Sequence, residues 1–353
     1  MLYFSKLDSL RFIAFFLVFW SHNYVQCFNA WINAPWRVFL SPFFETGING
    51  VHIFFVISGF LITFLLIKED NTHGEISIRK FYLRRILRIW PLYYLIMILG
   101  LFVLPNLTNI FQFCGSYWMN LAFINNFNVS ESAQCFSTHV VIAWSVAIEE
   151  QFYLFWPIVF YFFYKRNWLI IFCLGALFIS IIANQYFSYF STICNLTYLM
   201  TGCLGALIYE KYQMKFNISF FKEVKWLIIM LLLLCTAMLF TAHNTALKVL
   251  ILPSLYLYFV LYAIISNDNK KTYLSTLGKY TYGMYFYHPL ISIFVRIAFD
   301  KLGIPYLNNG LNFAFASTIA LVLTGLISVF SYKYFEGYFL NLKAKLAVVK
   351  TRI

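Results

Sequence analysis

Charge is what this chain has least of. Asp, Glu, Lys and Arg make up 11% of its 353 residues, against about 25% in ordinary soluble domains. So few charges could not cover a soluble body of this size. Disorder is excluded on the same ground, because disordered chains are rich in charge and poor in aromatics. Cysteine is sparse and unpatterned: the 7 cysteines show no CxxC spacing, which removes the usual zinc frames, and no metal site is expected. The N-terminus lacks the short apolar core and small-residue cleavage site of a removable leader, and its first apolar stretch is long enough to stay in a membrane. No internal repeat, low-complexity tract or soluble-looking segment interrupts the chain. The expected organisation is one membrane domain over residues 1–353, with no appended soluble domain.

What is present points the same way. Hydrophobic residues reach 62% and aromatics 22%, with 42 Phe, 26 Tyr and 9 Trp. The apolar runs are continuous, whereas a transmembrane barrel would alternate. The expected fold is therefore all-α, a polytopic bundle of membrane helices. A span needs about 20 apolar residues, and ten stretches qualify: 10–28, 48–67, 89–105, 141–163, 167–186, 191–209, 225–242, 247–266, 280–298 and 311–331.

The net charge of +13 reads as orientation. With the N-terminus in the cytoplasm, 22 of the 26 Lys and Arg fall on the inner side. Only Arg37, Lys248, Arg296 and Lys301 fall outside. Excess Lys and Arg mark cytoplasmic loops, so both termini are expected inside and nucleic acid is not needed to explain the charge. One long outer segment, 106–140, holds Cys114, Cys135 and His139 and no Lys or Arg. Its two cysteines are a disulfide or two free thiols; the spacing does not choose.

Ionisable groups inside spans are costly and mark functional sites by default. In LDSLRFIAFFLVFWSH (7–22), Arg11 and His22 are eleven residues apart, about 20° from alignment on a helix, and Asp8 falls about 40° to the other side. All three share one face, with His22 about 16 Å beyond Arg11. Arg11 is either an inner-side anchor or a site residue. His22 either bonds a neighbouring helix or exchanges a proton near neutral pH.

In FYLRRILRIWP (81–91), Arg84 and Arg88 are an i, i+4 pair and Arg85 and Arg88 an i, i+3 pair. Such a cluster serves topology, lipid headgroups or phosphate, for which guanidinium forks are well shaped. In WSVAIEEQFYLFWP (144–157), Glu149 and Glu150 point to different faces, and one of them can face the interior. His288 precedes Pro289 in 280–298, where the proline frees a backbone carbonyl.

Taken together these blocks resemble the acyltransferase family 3 membrane proteins, bacterial O-acyltransferases of cell-surface sugars. Residues 7–22 are similar to the family's opening block, with its Arg-x10-His spacing at Arg11 and His22. GVHIFFVISGFLI (50–62), the arginine block at 81–91, WSVAIEEQFY (144–153) and TYGMYFYH (281–288) resemble further blocks, and 332–338 resembles a closing one more weakly. The chain departs from the pattern at His52, where Asp is usual, at Ser9 and Thr281, where Gly and Ser are common, and at Gly337, where Pro follows the Glu. His52, near a span edge, reads as structural, and through packing or charge near the second span the departure there bears on acceptor preference.

The resemblance implies transfer of an acyl group, usually acetyl from acetyl-CoA, to a sugar hydroxyl at the bacterial cytoplasmic membrane. Arg85 and Arg88, assisted by Arg84, would hold the CoA phosphates. His22 would act as base or as acyl relay, with Glu149 orienting or stabilising its ring. Arg11 would organise Asp8 and the inner entrance. Trp144, Ser145 and His288 would line the acceptor pocket. The expected partners are a carbohydrate or glycolipid acceptor, acyl-CoA and the lipid bilayer; oligomeric state is not legible. The rival reading is a transporter or flippase of a lipid-linked sugar, which often carries inverted repeats and broken helices.

Overall fold

The computed structural model describes residues 3–27, 47–107, 113, 115–129, 138–212, 245–268, 270–304 and 310–346. These residues form helices and, among them, no strand. The long helices are α1 (Ser5–Cys27), α2 (Gly47–His73), α3 (Ile78–Ile98), α4 (Trp144–Phe163), α5 (Leu169–Ala183), α6 (Thr192–Tyr212), α7 (Thr245–Ile265), α8 (Thr281–Lys301) and α9 (Gly310–Ser331). Nine of the ten expected spans coincide with these helices. The span expected at 225–242, and Cys114 and Cys135, lie outside the described residues.

Among the described residues, four helices are long and apolar enough to cross a membrane: Gly47–His73, Ile78–Asn106, Thr192–Tyr212 and Leu311–Lys345. Two of these are longer than the hydrophobic pattern suggested. α3 continues through a π-helical segment, Leu99–Val103, into Leu104–Leu107. It starts at Ser77, whose side chain accepts from the Lys80 N–H. The arginine cluster therefore lies within one continuous helix with the apolar stretch at 89–105. α9 likewise passes through a π-helical segment, Tyr332–Glu336, into Gly337–Lys345. Prolines sit inside α3, α4, α7 and α8, as membrane helices tolerate when neighbouring groups satisfy the freed carbonyls.

The chain divides into two compact units. The first comprises 1–7, 52–270 and 338–353; the second comprises 8–51 and 271–337. In the first, α2 and α6 meet backbone to backbone. A Cβ on Gly59 would stand 2.1 Å from the Leu199 carbonyl oxygen, and one on Gly202 would stand 2.2 Å from that of Val56. Trp156 on α4 donates to Thr63 on α2 at 2.9 Å. α5 and α6 are pinned by Ser180, whose hydroxyl meets the Cys194 carbonyl at 3.0 Å and the Thr197 hydroxyl at 2.6 Å.

In the second unit, small residues bring other segments against α1. A Cβ on Gly278 would lie 2.0 Å from the Asp8 carbonyl oxygen, and one on Gly50 would lie 2.3 Å from that of Ala14. Beside the π-helical segment, buried Glu336 accepts from Ser331 at 3.1 Å, and Tyr287 of α8 donates to the same serine at 3.0 Å.

Candidate active site

The expected site residues fall into both units. In the second unit, α1 carries Asp8, Arg11 and His22. Asp8 is buried and takes a hydrogen bond from Arg11 at 2.8 Å, one helical turn on. Arg11 therefore has a carboxylate partner on its own helix and is only partly exposed, so its charge is largely committed locally. His22 is half-buried, and its Nδ1 lies 2.9 Å from Nε2 of His288 on α8. The two rings are parallel to within 7°, with centroids 5.2 Å apart. The centroid separation exceeds the nitrogen–nitrogen distance by about one ring width. The rings therefore meet edge to edge, as a linear hydrogen bond requires.

His288 is fully enclosed. Its surroundings are aromatic: Phe15 and Phe19 of α1 lie edge-on at 5.8 and 6.1 Å, and Tyr285 lies at 5.9 Å. The helical pattern explains the encounter on α1. Phe15, Phe19 and His22 follow at i, i+4 and i+7, one stripe of the helix, and that stripe faces His288.

In the first unit, α2, α3 and α4 build a second polar group. Glu149 on α4 accepts from the Ser58 hydroxyl on α2 at 2.7 Å. The Tyr153 hydroxyl, one turn along α4, donates to the same serine at 3.0 Å. Glu150 turns to another side and accepts from the Trp90 indole N–H on α3 at 2.9 Å, while its Oε1 is buried without a hydrogen-bond partner among the described residues. The two adjacent carboxylates thus take different partners on different helices, as their 100° separation requires.

The three arginines part company. Arg84 is taken by buried Glu69, with Nη2 to Oε2 at 2.9 Å, and also reaches the Leu346 carbonyl at 3.3 Å. The same glutamate accepts the Ser77 N–H at the start of α3. Arg85 instead lies over the rings of Phe81 and Tyr153, 5.5 and 5.4 Å from their centroids, and its enclosed Nε has no hydrogen-bond partner among the described residues. Arg88 makes no ion pair with the described residues. Arg85 and Arg88 therefore keep guanidinium capacity that Arg84 has given to a carboxylate.

Of the expected acceptor-pocket residues, Trp144 packs among Phe55, Tyr189 and Phe190 in the first unit. Ser145 donates to the Ile142 carbonyl at 3.3 Å. His288 belongs to the second unit, with His22. His52 stacks on Tyr198, with ring centroids 3.7 Å apart and planes 11° from parallel, and its Nδ1 is buried without a hydrogen-bond partner among the described residues. The described residues contain no group of three His, Cys, Asp or Glu side chains able to hold a metal.

Sequence reasoning passed over Ser58, Trp90, Tyr153 and Glu69. Ser58 had a usable signal, being one of the few hydroxyls in an apolar helix segment. Glu69 had none, because a carboxylate near a helix end ordinarily faces water.

The family described as "Acyltransferase domain" matches residues 4–330. O-acetyltransferase OatA of Staphylococcus aureus strain NCTC 8325 / PS 47 is 27% identical over 342 residues, covering 86% of this chain and 53% of that protein. OatA of strains COL and MRSA252 gives the same figures. The chain thus spans about half the length of these relatives. No solved structure matches it.

Proposed function

The chain belongs to the acyltransferase family, and from that premise we propose that it transfers an acyl group, acetyl in the first instance, from cytoplasmic acyl-CoA to a hydroxyl of an exported or cell-surface carbohydrate. The names of the OatA relatives support O-acetyl transfer as the reaction type. The single observation that carries the residue assignment is the His22 imidazole. It is half-buried on α1, in a stripe otherwise aromatic, and held by a hydrogen bond rather than an ion pair. A neutral imidazole so held is suited to take a proton.

In the proposed reaction His22 removes the proton from the acceptor hydroxyl as its oxygen attacks the thioester carbonyl carbon. The carbon–sulfur bond then breaks, the acyl group remains on the acceptor oxygen, and the CoA thiolate leaves, taking the proton from the imidazolium. Arg85 and Arg88 bind the CoA phosphates, which suits two guanidiniums that make no ion pair among the described residues. Arg84 supports this helix through Glu69 instead of touching the donor. The supporting carboxylate of the reaction is assigned to Glu149, held with Ser58 and Tyr153. Arg11 and Asp8 form the ion pair at the start of α1. Trp144, Ser145 and His52 belong to acceptor selection.

The proposed setting is a bacterial cytoplasmic membrane, with ten spans, both termini inside and one membrane domain over 1–353. The test is transfer of labelled acetyl from acetyl-CoA by the purified full chain. His22→Ala is expected to abolish transfer while the protein still accumulates in the membrane. Arg85→Ala with Arg88→Ala is expected to weaken acetyl-CoA binding at least about tenfold, the loss of about 1.4 kcal/mol that one charge-assisted hydrogen bond represents. Full transfer by His22→Ala, or movement of an unmodified sugar lipid without transfer, overturns the reading.

A further inference from the structure

A histidine works as a base only through the ring nitrogen that carries no proton, so its tautomer matters as much as its position. Two hydrogen bonds in the second unit determine that tautomer. Nδ1 of His288 lies 3.2 Å from the Met284 carbonyl oxygen, one turn back on α8. A carbonyl can only accept, so Nδ1 of a neutral His288 carries the proton. Its Nε2 then holds a lone pair. That lone pair faces Nδ1 of His22 at 2.9 Å. A hydrogen bond at this distance needs one donor, so Nδ1 of His22 carries its proton. The only nitrogen of His22 left with a lone pair is Nε2.

The neighbouring sequence makes His288 hard to reorient. Pro289 has no N–H, so the Tyr285 carbonyl, beside that of Met284, loses its helical donor. Phe15, Phe19 and Tyr285 enclose the ring, which has no exposed surface. The His288 side chain is therefore fixed by its own helix and presents an acceptor to α1.

We propose that His288 is a positioning residue: anchored on the Met284 carbonyl, it holds His22 in the Nδ1–H tautomer and leaves Nε2 as the nitrogen that takes the acceptor's proton. A carboxylate serves an analogous purpose in a Ser-His-Asp triad; here a second imidazole, backed by a backbone carbonyl, does so without adding charge. The inference rests on His22 being the base, but the tautomer itself is observable without any activity.

The experiment uses the full chain labelled with nitrogen-15 histidine in nanodiscs. There are 6 histidines, and the His22 signals are identified as those lost in His22→Ala. Expected in the wild type is a protonated, pyrrole-type Nδ1 and an unprotonated, pyridine-type Nε2 at His22. His288→Leu removes the acceptor, and His22 should then shift towards the Nε2–H tautomer that free imidazole prefers. Its kcat should fall on the order of 100-fold, the scale of a general base, with KM for acetyl-CoA unchanged. His288→Gln, whose amide oxygen can replace Nε2 as acceptor, should restore the Nδ1–H tautomer and part of kcat.

A wild-type His22 protonated on Nε2 overturns the proposal, and the wild-type spectrum decides this even if His288→Leu fails to accumulate. An unchanged tautomer in His288→Leu overturns it equally. A fall in kcat that His288→Gln does not relieve, with the tautomer unmoved, would mark His288 as structural only and overturn it as well. Failure of the acyltransfer reading looks different: transfer would persist in His22→Ala whatever the tautomer.

Discussion

A hydroxyl shared between two side chains is the smallest unit on which the first unit's polar group depends. Ser58 donates to Glu149 and accepts from Tyr153, so one oxygen sets the orientation of both. Ser58→Ala should leave Glu149 less constrained and lower kcat about tenfold, because each net hydrogen bond contributes about 0.5–1.5 kcal/mol. Initial-rate measurements on the variant check this, and an unchanged rate would remove Glu149 from the reaction. Arg84 shows the opposite kind of residue. Its carboxylate partner Glu69 is almost wholly buried. Glu69→Ala would strand a cation in a largely dry setting and cost about 3 kcal/mol. The expected result is a lower midpoint of thermal unfolding in detergent, with acetyl-CoA affinity retained by the protein that remains folded. A residue motif in the sequence treats the three arginines alike; the structure separates them, because only contacts across helices decide which charge is already neutralised.

At the scale of elements, the informative features are the places where backbones touch. α2 and α6 meet through Gly59 and Gly202, each of which faces the other helix's carbonyls. Small residues allow such approach in membrane helices, where packing rather than water exclusion drives association. Gly59→Ala or Gly202→Ala must push the helices apart, at about 1–3 kcal/mol each, the usual cost of overpacking. The two together should cost less than the sum of the singles, since one displacement relieves both contacts. Thermal unfolding of the singles and the double checks this. The extents of α3 and α9 were less legible than their existence. Apolar windows reveal where a helix is hydrophobic, whereas α3 runs from Ile78 through its arginines because Ser77 caps it and Glu69 receives Arg84. The π-helical segments at Leu99–Val103 and Tyr332–Glu336 leave no mark in hydropathy, since they change the hydrogen-bond register and not the composition.

For the whole molecule, the distribution of Lys and Arg predicts its orientation, which reporter fusions can read. A reporter joined after Glu75 should report the cytoplasm, and one joined within 106–140 should report the outer side. The reverse pattern would refute the proposed topology. The sequence by itself determined what can be computed along one chain: a helical membrane protein, the helix faces that carry Asp8, Arg11 and His22, and the family to which its blocks belong. The first two follow from composition and from the 3.6-residue period, both local properties; the family follows from the resemblance of its motif blocks and the family match over residues 4–330. Only the tertiary structure decided the partners. It joined His22 to His288 across 266 positions, gave Ser58 to Glu149 and Trp90 to Glu150, and gave Arg84 to Glu69 while leaving Arg85 over two aromatic rings. The reason is physical: a side chain's protonation state and reach depend on which groups lie within about 3 Å of it. In a helical bundle those groups come from distant helices whose register no local pattern encodes.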